Sequence, residues 1–492
     1  MKQARLSRIE MILLAASLLV AATYFAAVPN NPAGFFVDEA SIAYNAHTIA
    51  NRGVDEYGHA FPLYFRAFGE YKSPVYIYAL AAIFKFTGPS IFVARIFSAI
   101  LGLATVLLLG LLALRITGQR VAGLIVFIAA GLTPWFFEVS RLVFEVALLP
   151  ALLVLFLVLL HAASKRDEWS WPISAGLGLL LGLMVYTYPG GRLLAALLGL
   201  GLLFFLTKRR WRSVVLTLVV FGLTLLPLAV FMVRNPSALG ERFKDVTYIK
   251  PGDTRTQIAV RFVQNYVQNF SPRSWLVKGD PEPRHHLPGK MGSLLAGATI
   301  LALLGFVFIL LRRRREAWWR FVLYGLAVSP IPASLTLDHF HTLRLIALPI
   351  FLLVLTVPAV EFLLDTNQRF RKARQITLAV LVLAILLQGA IFQQSFHQAP
   401  PRVDAFDSYY PELLASALNR PERPIYLRDH TPAAYVYAFW YATLRGVSID
   451  SFHRIPRDEP PPPGAVVIGH GLPCENCEII QERGQFKVYV QK

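Results

Sequence analysis

Two adjacent carboxylates, Asp38 and Glu39, follow the first apolar stretch of the chain. A carboxylate placed there can take a proton from a hydroxyl group, provided the hydroxyl comes within hydrogen-bond reach. The pair also suits a plain structural role. Ala40–Ala50 has helix-forming character, and acidic residues are favoured in the first turn of a helix by its dipole. Cations recur at turns that fall on the same predicted side: Lys72, Arg141, Arg192 and Arg344, with His341 beside the last. Preorganised cations stabilise negative charge that develops in a transition state. Arginine suits the planar, bidentate part of that task, and lysine supplies a point charge. Each cation also has an ordinary alternative, snorkelling to lipid headgroups or pairing with a nearby acid, and His341 could be a neutral cap on a helix end.

The elements that must hold these residues are mostly apolar helices. The chain has 492 residues, 55% hydrophobic and 16% charged, which excludes an ordinary soluble domain. Its mean hydropathy is +0.51. Apolar runs of about 16–24 residues, separated by charge clusters, are the pattern of a polytopic α-helical membrane protein. The net charge of +18 does not point to nucleic acid, because the basic residues stand in short clusters between apolar runs.

Lys2, Arg5 and Arg8 precede the first predicted span, Ile9–Val28, and put the N-terminus in the cytoplasm. No cleavable leader is expected, since Val28-Pro29-Asn30 is not a small-residue cleavage site. A long outer loop, 29–90, follows. Further spans are predicted near Ile91–Leu114, Val121–Phe137, Glu145–Leu160, Pro172–Tyr188, Leu193–Leu206 and Ser213–Val233. A second long outer loop, 234–292, precedes spans near Ser293–Leu311, Phe321–Thr336, Leu345–Leu364 and Gln375–Phe392. With about 11 transmembrane helices, every Lys/Arg-dense connection lands on one side, and the C-terminus lies outside. Val75–Phe86 is too short and interrupted to span and reads as a helix along the membrane surface.

From Gln394 onward the composition is that of a soluble segment. Pro424–Leu427, Ala465–Ile468 and Phe486–Val490 read as strands, and Ala433–Leu444 reads as an amphipathic aromatic helix. The expected division is therefore 1–393 as the membrane domain and 394–492 as a small extracytoplasmic α/β domain. Cys474 and Cys477 are the only cysteines. One Cys-x-x-Cys lacks the second half of a zinc site, so in an oxidising compartment the expectation is a local disulfide.

Several short motifs recur in one order. They are Phe36-Val37-Asp38-Glu39-Ala40, then Gly58-His59-Ala60-Phe61-Pro62-Leu63, then Tyr71-Lys72-Ser73-Pro74-Val75-Tyr76. Ser140-Arg141-Leu142-Val143-Phe144-Glu145 follows, then Tyr186-Thr187-Tyr188-Pro189-Gly190-Gly191-Arg192, and His341-Thr342-Leu343-Arg344 before Pro349. Over about residues 9–365 this order resembles GT-C-fold glycosyltransferases that use polyprenyl-phosphate sugars, and within them the group of protein O-mannosyltransferases and lipid A aminoarabinose transferases. The resemblance implies transfer of a sugar from a polyprenyl-phosphate carrier to an acceptor lipid, protein or glycan on the outer face, with inversion. The first outer loop would be catalytic. Asp38 matches the group's loop aspartate and would be the general base. Glu39 would orient Asp38 or bind the sugar, Lys72 would face the carrier phosphate, and Arg141 and Glu145 would form a second-loop pair. The lysine is followed by a single proline after Ser73, and Glu145 stands where aspartate is common. Both departures leave the donor sugar open.

A departing lipid phosphate gathers negative charge at the membrane surface, which agrees with outer-turn cations at Lys72, Arg141, Arg192, His341 and Arg344. No cofactor is expected. His285 and His286 are too close in sequence to form a metal pair without partners, and Asp280 and Glu282 are the nearby candidates for a divalent ion. The loop around them reads mainly as an acceptor-side lid. The expected setting is the plasma (inner) membrane, with the bilayer, a lipid-linked donor and an acceptor as partners. A lipid-linked-saccharide flippase is the competing class, but transporters usually carry ionisable residues at mid-span, and these span centres are almost free of charge. A non-catalytic assembly protein is the other, and it would tolerate losing Asp38.

Overall fold

The computed structural model describes residues 7–492 apart from 69, 237, 239, 288–290, 366–369, 430–432 and 475. The chain packs as two compact units. One, the helical unit, comprises residues 1–26, 98–141 and 145–399; the other, the mixed unit, comprises 27–97, 142–144 and 400–492.

In the helical unit each predicted apolar stretch carries a helix. The first is Arg8–Thr23 and the last Arg371–Gln398. Several are broken where the sequence supplies proline. Thr133-Pro134 ends Arg120–Leu132 and opens Pro134–Val139, and Pro227 follows the break between Trp211–Thr224 and Leu226–Arg234. Proline fits the first turn of the following helix, where its missing N–H is not needed. Among the described residues, five helices are long and apolar enough to cross a membrane: Ile91–Thr117, Glu145–Ser164, Trp211–Arg234, Ala296–Arg313 and Arg371–Gln398. Other apolar helices, such as Trp171–Val185 and Leu348–Leu364, are shorter. Small residues let these helices approach. A Cβ at Gly178 would lie 2.6 Å from the Thr217 carbonyl, and one at Gly182 would lie 2.2 Å from the Thr224 hydroxyl. The segment predicted as a second long loop contains the helices Glu241–Val246 and Arg255–Gln268.

In the mixed unit, what reads as a long loop is ordered structure. The helix Val37–Arg52 ends at Gly53, whose φ of 70° is the left-handed cap that glycine adopts without steric cost. The short strands β1 (Phe65–Ala67) and β2 (Glu70–Lys72) pair antiparallel, setting Phe65 opposite Lys72. The helix Pro74–Thr87 buries Tyr76, Ile77, Leu80 and Phe84, and it packs on Val37–Arg52.

The C-terminal segment adds a five-stranded sheet of β3 (Ile425–Asp429), β4 (Phe452–Ile455), β5 (Val466–His470), β6 (Cys477–Arg483) and β7 (Phe486–Gln491), in the order β4-β3-β5-β7-β6. β3 runs parallel to both neighbours, and β7 runs antiparallel to β5 and β6. Cys474 and Cys477 are disulfide-bonded to each other. The helix Ala433–Arg445 buries Tyr435, Tyr437, Trp440 and Tyr441. Its aromatic face meets residues from 27–97 of the same unit: Phe35 stacks on Trp440 at 5.7 Å, and Tyr44 lies 5.5 Å from Phe439. Residues 27–97 and 400–492, remote in sequence, therefore share one core.

Candidate active site

Within the mixed unit, Asp38 and Glu39 stand in the first turn of Val37–Arg52, adjacent in sequence but in different surroundings. Asp38 Oδ1 accepts a 2.7 Å hydrogen bond from Lys72 Nζ at the end of β2. The Asp38 side chain remains 35% exposed, while that of Lys72 is 8% exposed. The ammonium also lies 5.3 Å from the Phe68 ring.

Glu39 is fully buried. Its carboxylate accepts from the backbone N–H of Phe36 at 2.8 Å and of Val143 at 3.0 Å, and from the Arg95 guanidinium at 3.0 Å. Arg95, 1% exposed, donates in addition to the carbonyls of Pro29, Pro32 and Gly34. One buried ion pair thus ties together the turn before the Asp38 helix, residues 142–144 and the start of Ile91–Thr117.

A second acid lies in this unit. Glu56 Oε1 accepts from the Tyr435 hydroxyl at 3.2 Å, and its Oε2 is buried. Burial pushes its carboxyl up to about 7, against the Tyr435 hydrogen bond and the charges of Arg454 and Lys72. Arg454 covers the Tyr435 ring at 3.6 Å. Asp429, which accepts from the N–H groups of Ala434 and Tyr435 at the start of their helix, is also raised by burial to about 7.

The remaining sequence candidates belong to the helical unit. Arg141, 1% exposed, donates to the carbonyls of Tyr24 and Ala26 and lies over the rings of Phe137 and Phe396. Glu145 opens the 3₁₀ turn Glu145–Leu148, and Arg192 lies in the first turn of Pro189–Gly201. Arg344 pairs with Asp338 at 2.6 Å and donates to Thr336 at 3.0 Å. His341 lies with its ring 4.7 Å from that of His285.

Each unit therefore gathers its own set: Asp38, Glu39 and Lys72 in one, and Arg141, Glu145, Arg192, His341 and Arg344 in the other. Arg95 and Glu56 were not singled out from sequence. Arg95 had a signal, a charge one turn into an apolar run, since such residues are rare and partnered. Glu56 had none beyond its place in a polar loop.

Long apolar helices with a polar mixed unit define a multi-pass membrane protein. Comparison with known proteins narrows the class. Residues 71–234 match the family described as dolichyl-phosphate-mannose-protein mannosyltransferase. No curated protein matches. Among solved structures, ArnT from Cupriavidus metallidurans bound to undecaprenyl phosphate aligns over 97% of both chains, at 15% identity and a TM-score of 0.52. The apo state of the same protein gives 15% identity and 0.51 with the same coverage. The arabinofuranosyltransferase AftD from Mycobacteria gives 12% identity and 0.48, over 99% of this chain and 40% of that one, too low to add to the fold assignment. The likeness to ArnT establishes the fold, GT-C, and bears out the resemblance read from the motifs.

Proposed function

We propose that this protein transfers a sugar from a polyprenyl-phosphate carrier to an acceptor hydroxyl on the outer face of the plasma membrane, with inversion at the anomeric carbon. In this reading residues 1–393 form the membrane domain, with the first outer loop catalytic, and 394–492 an extracytoplasmic domain. The observation that carries it is the Asp38–Lys72 pair, an accessible carboxylate held 2.7 Å from a nearly buried ammonium. The two groups match the two charges such a transfer handles, a proton leaving the acceptor and a phosphate leaving the sugar. The likeness to ArnT bound to undecaprenyl phosphate supports the lipid class.

Asp38 accepts the acceptor's proton as its oxygen bonds to the anomeric carbon. The bond from that carbon to the phosphate oxygen breaks, and its electron pair leaves with the lipid phosphate. Lys72 stabilises that charge. A phosphate that draws Lys72 to itself would free the Asp38 oxygen for the acceptor hydroxyl as the donor arrives. Glu39 acts as the positioning half of its alternatives, because its oxygens already serve Phe36, Val143 and Arg95. Arg141, Glu145, Arg192 and Arg344 are assigned to substrate binding, while His341 belongs with Asp280 and His285.

The test uses purified protein in nanodiscs with a synthetic polyprenyl-phosphate sugar and a mixture of candidate acceptors. Release of polyprenyl phosphate, dependent on the acceptor, is expected. Movement of intact donor between leaflets without release would identify a flippase and overturn the reading.

A further inference from the structure

The His285-His286 pair is split by the fold. His286 Nδ1 meets Glu138 Oε2 at 2.7 Å, and its Nε2 meets the Met291 carbonyl at 2.6 Å, so both ring nitrogens are engaged. Burial opposes its charge, but Glu138 and the Met291 carbonyl hold it above the ordinary imidazole range. Gly279 permits this, because a Cβ there would lie 2.2 Å from the His286 ring.

His285 turns the other way. Its Nδ1 lies 3.2 Å from Asp280 Oδ2, an oxygen that also accepts from the Thr342 N–H at 2.6 Å. His341, from the turn before Leu348–Leu364, completes the group. One donor atom from each of Asp280, His285 and His341 lies within 4.8 Å of the others. His341 Nδ1 is buried and has no hydrogen-bond partner among the described residues. An imidazole nitrogen left orphaned beside a carboxylate and a second imidazole is costly unless something binds it.

We propose that Asp280, His285 and His341 bind one divalent transition ion of the zinc class and so fasten the second outer loop to the turn at 338–344. Two imidazoles and one carboxylate suit zinc, whereas calcium and magnesium prefer all-oxygen sets. A tetrahedral ion with ligands at about 2.0–2.1 Å holds its donor atoms about 3.4 Å apart. The Asp280–His285 separation of 3.2 Å already fits; His341, within 4.8 Å of both, would close by up to about 1.4 Å on binding. The Thr342 N–H orients the carboxylate from outside the ligand set, as hydrogen bonds behind metal ligands do. The neighbouring cations do not stand unopposed: Arg344 pairs with Asp338, and Arg284 with Glu282. Three protein ligands leave a fourth position for water. The site does not depend on the glycosyl-transfer reading.

The experiment titrates Co2+, then Zn2+, into tag-free full-length protein stripped with a chelator, and follows visible cobalt absorption. A saturable 1:1 band displaced by Zn2+ is expected. His341→Ala and Asp280→Asn should each weaken it at least about tenfold, while His453→Ala, far away in sequence on β4, should leave it unchanged. X-ray absorption of the zinc-loaded wild type covers the case of misfolded variants, and should report two imidazoles with oxygen ligands. No saturable band in folded wild type, an unchanged band in both ligand variants, or an all-oxygen shell would each overturn the proposal.

Discussion

Replacing Glu39 by Gln tests whether the second carboxylate of the pair fastens the site or touches the substrate. Glutamine keeps the shape and one acceptor oxygen but removes the charge opposite Arg95 and turns an NH2 group toward donors. The Phe36 and Val143 N–H groups and the guanidinium then compete for one oxygen. Breaking a buried pair from one side costs roughly 3–5 kcal/mol, because the other charge stays buried without compensation. Against a total stability of about 5–15 kcal/mol this is a large loss. For a unit of this size it corresponds to roughly 6–20 °C in apparent Tm. The double variant Glu39→Gln/Arg95→Met should recover at least about 2 kcal/mol of the summed single losses, since it leaves no orphan charge. The assay is thermal unfolding in nanodiscs, run beside steady-state transfer. A Tm within about 2 °C of wild type, with KM for the donor sugar raised, would refute the fastening role and return Glu39 to direct sugar binding.

The other predictions address the remaining charges. Lys72→Ala and Arg344→Ala should raise the donor KM, Lys72→Ala by about 10- to 100-fold on loss of a charged contact, with the acceptor KM little changed; unchanged donor dependence in both would leave them as structural cations. Glu56 stays protonated up to about 7 in the folded chain but ionises near 4.5 when unfolded. The folded state therefore binds more protons in that window, and the mixed unit should lose stability as pH rises from about 4.5 to 7 and level off above it. Asp429 adds the same sign over its own window, from 3.8 to about 7. Glu56→Gln should flatten the slope measured by denaturation at stepped pH, and an unchanged slope would contradict the assignment. An epitope inserted after Arg315 should be protected in intact cells, whereas one near Gly252 or at the C-terminus should be accessible; an accessible tag at Arg315 would put the proposed site in the cytoplasm.

Hydropathy made the helices legible, because an apolar run in a membrane protein has few other ways to satisfy its backbone. The helix starting at Val37 was legible for a similar local reason, as was the Cys474–Cys477 disulfide. Long-range associations were not. That Phe35 would stack on Trp440, and Tyr435 bond to Glu56, depends on contacts some 400 residues apart, which no local periodicity encodes. The strands Phe452–Ile455 and Cys477–Arg483 escaped notice because both lie toward sheet edges and carry exposed polar residues. The His285-His286 dipeptide looked like one feature, yet two neighbours in sequence serve different partners once Gly279 admits the His286 ring.

Asp38→Asn tests the central claim most directly. The substitution preserves the side-chain shape and an oxygen for Lys72, and removes charge and basicity. It is measured as steady-state transfer from a synthetic polyprenyl-phosphate sugar by purified protein in nanodiscs, with folding checked by thermal unfolding. Turnover should fall by about 10²–10⁴-fold if Asp38 is the base. Donor binding should change far less, because the loss falls on the transition state. A folded Asp38→Asn protein that turns over at near the wild-type rate would contradict the account.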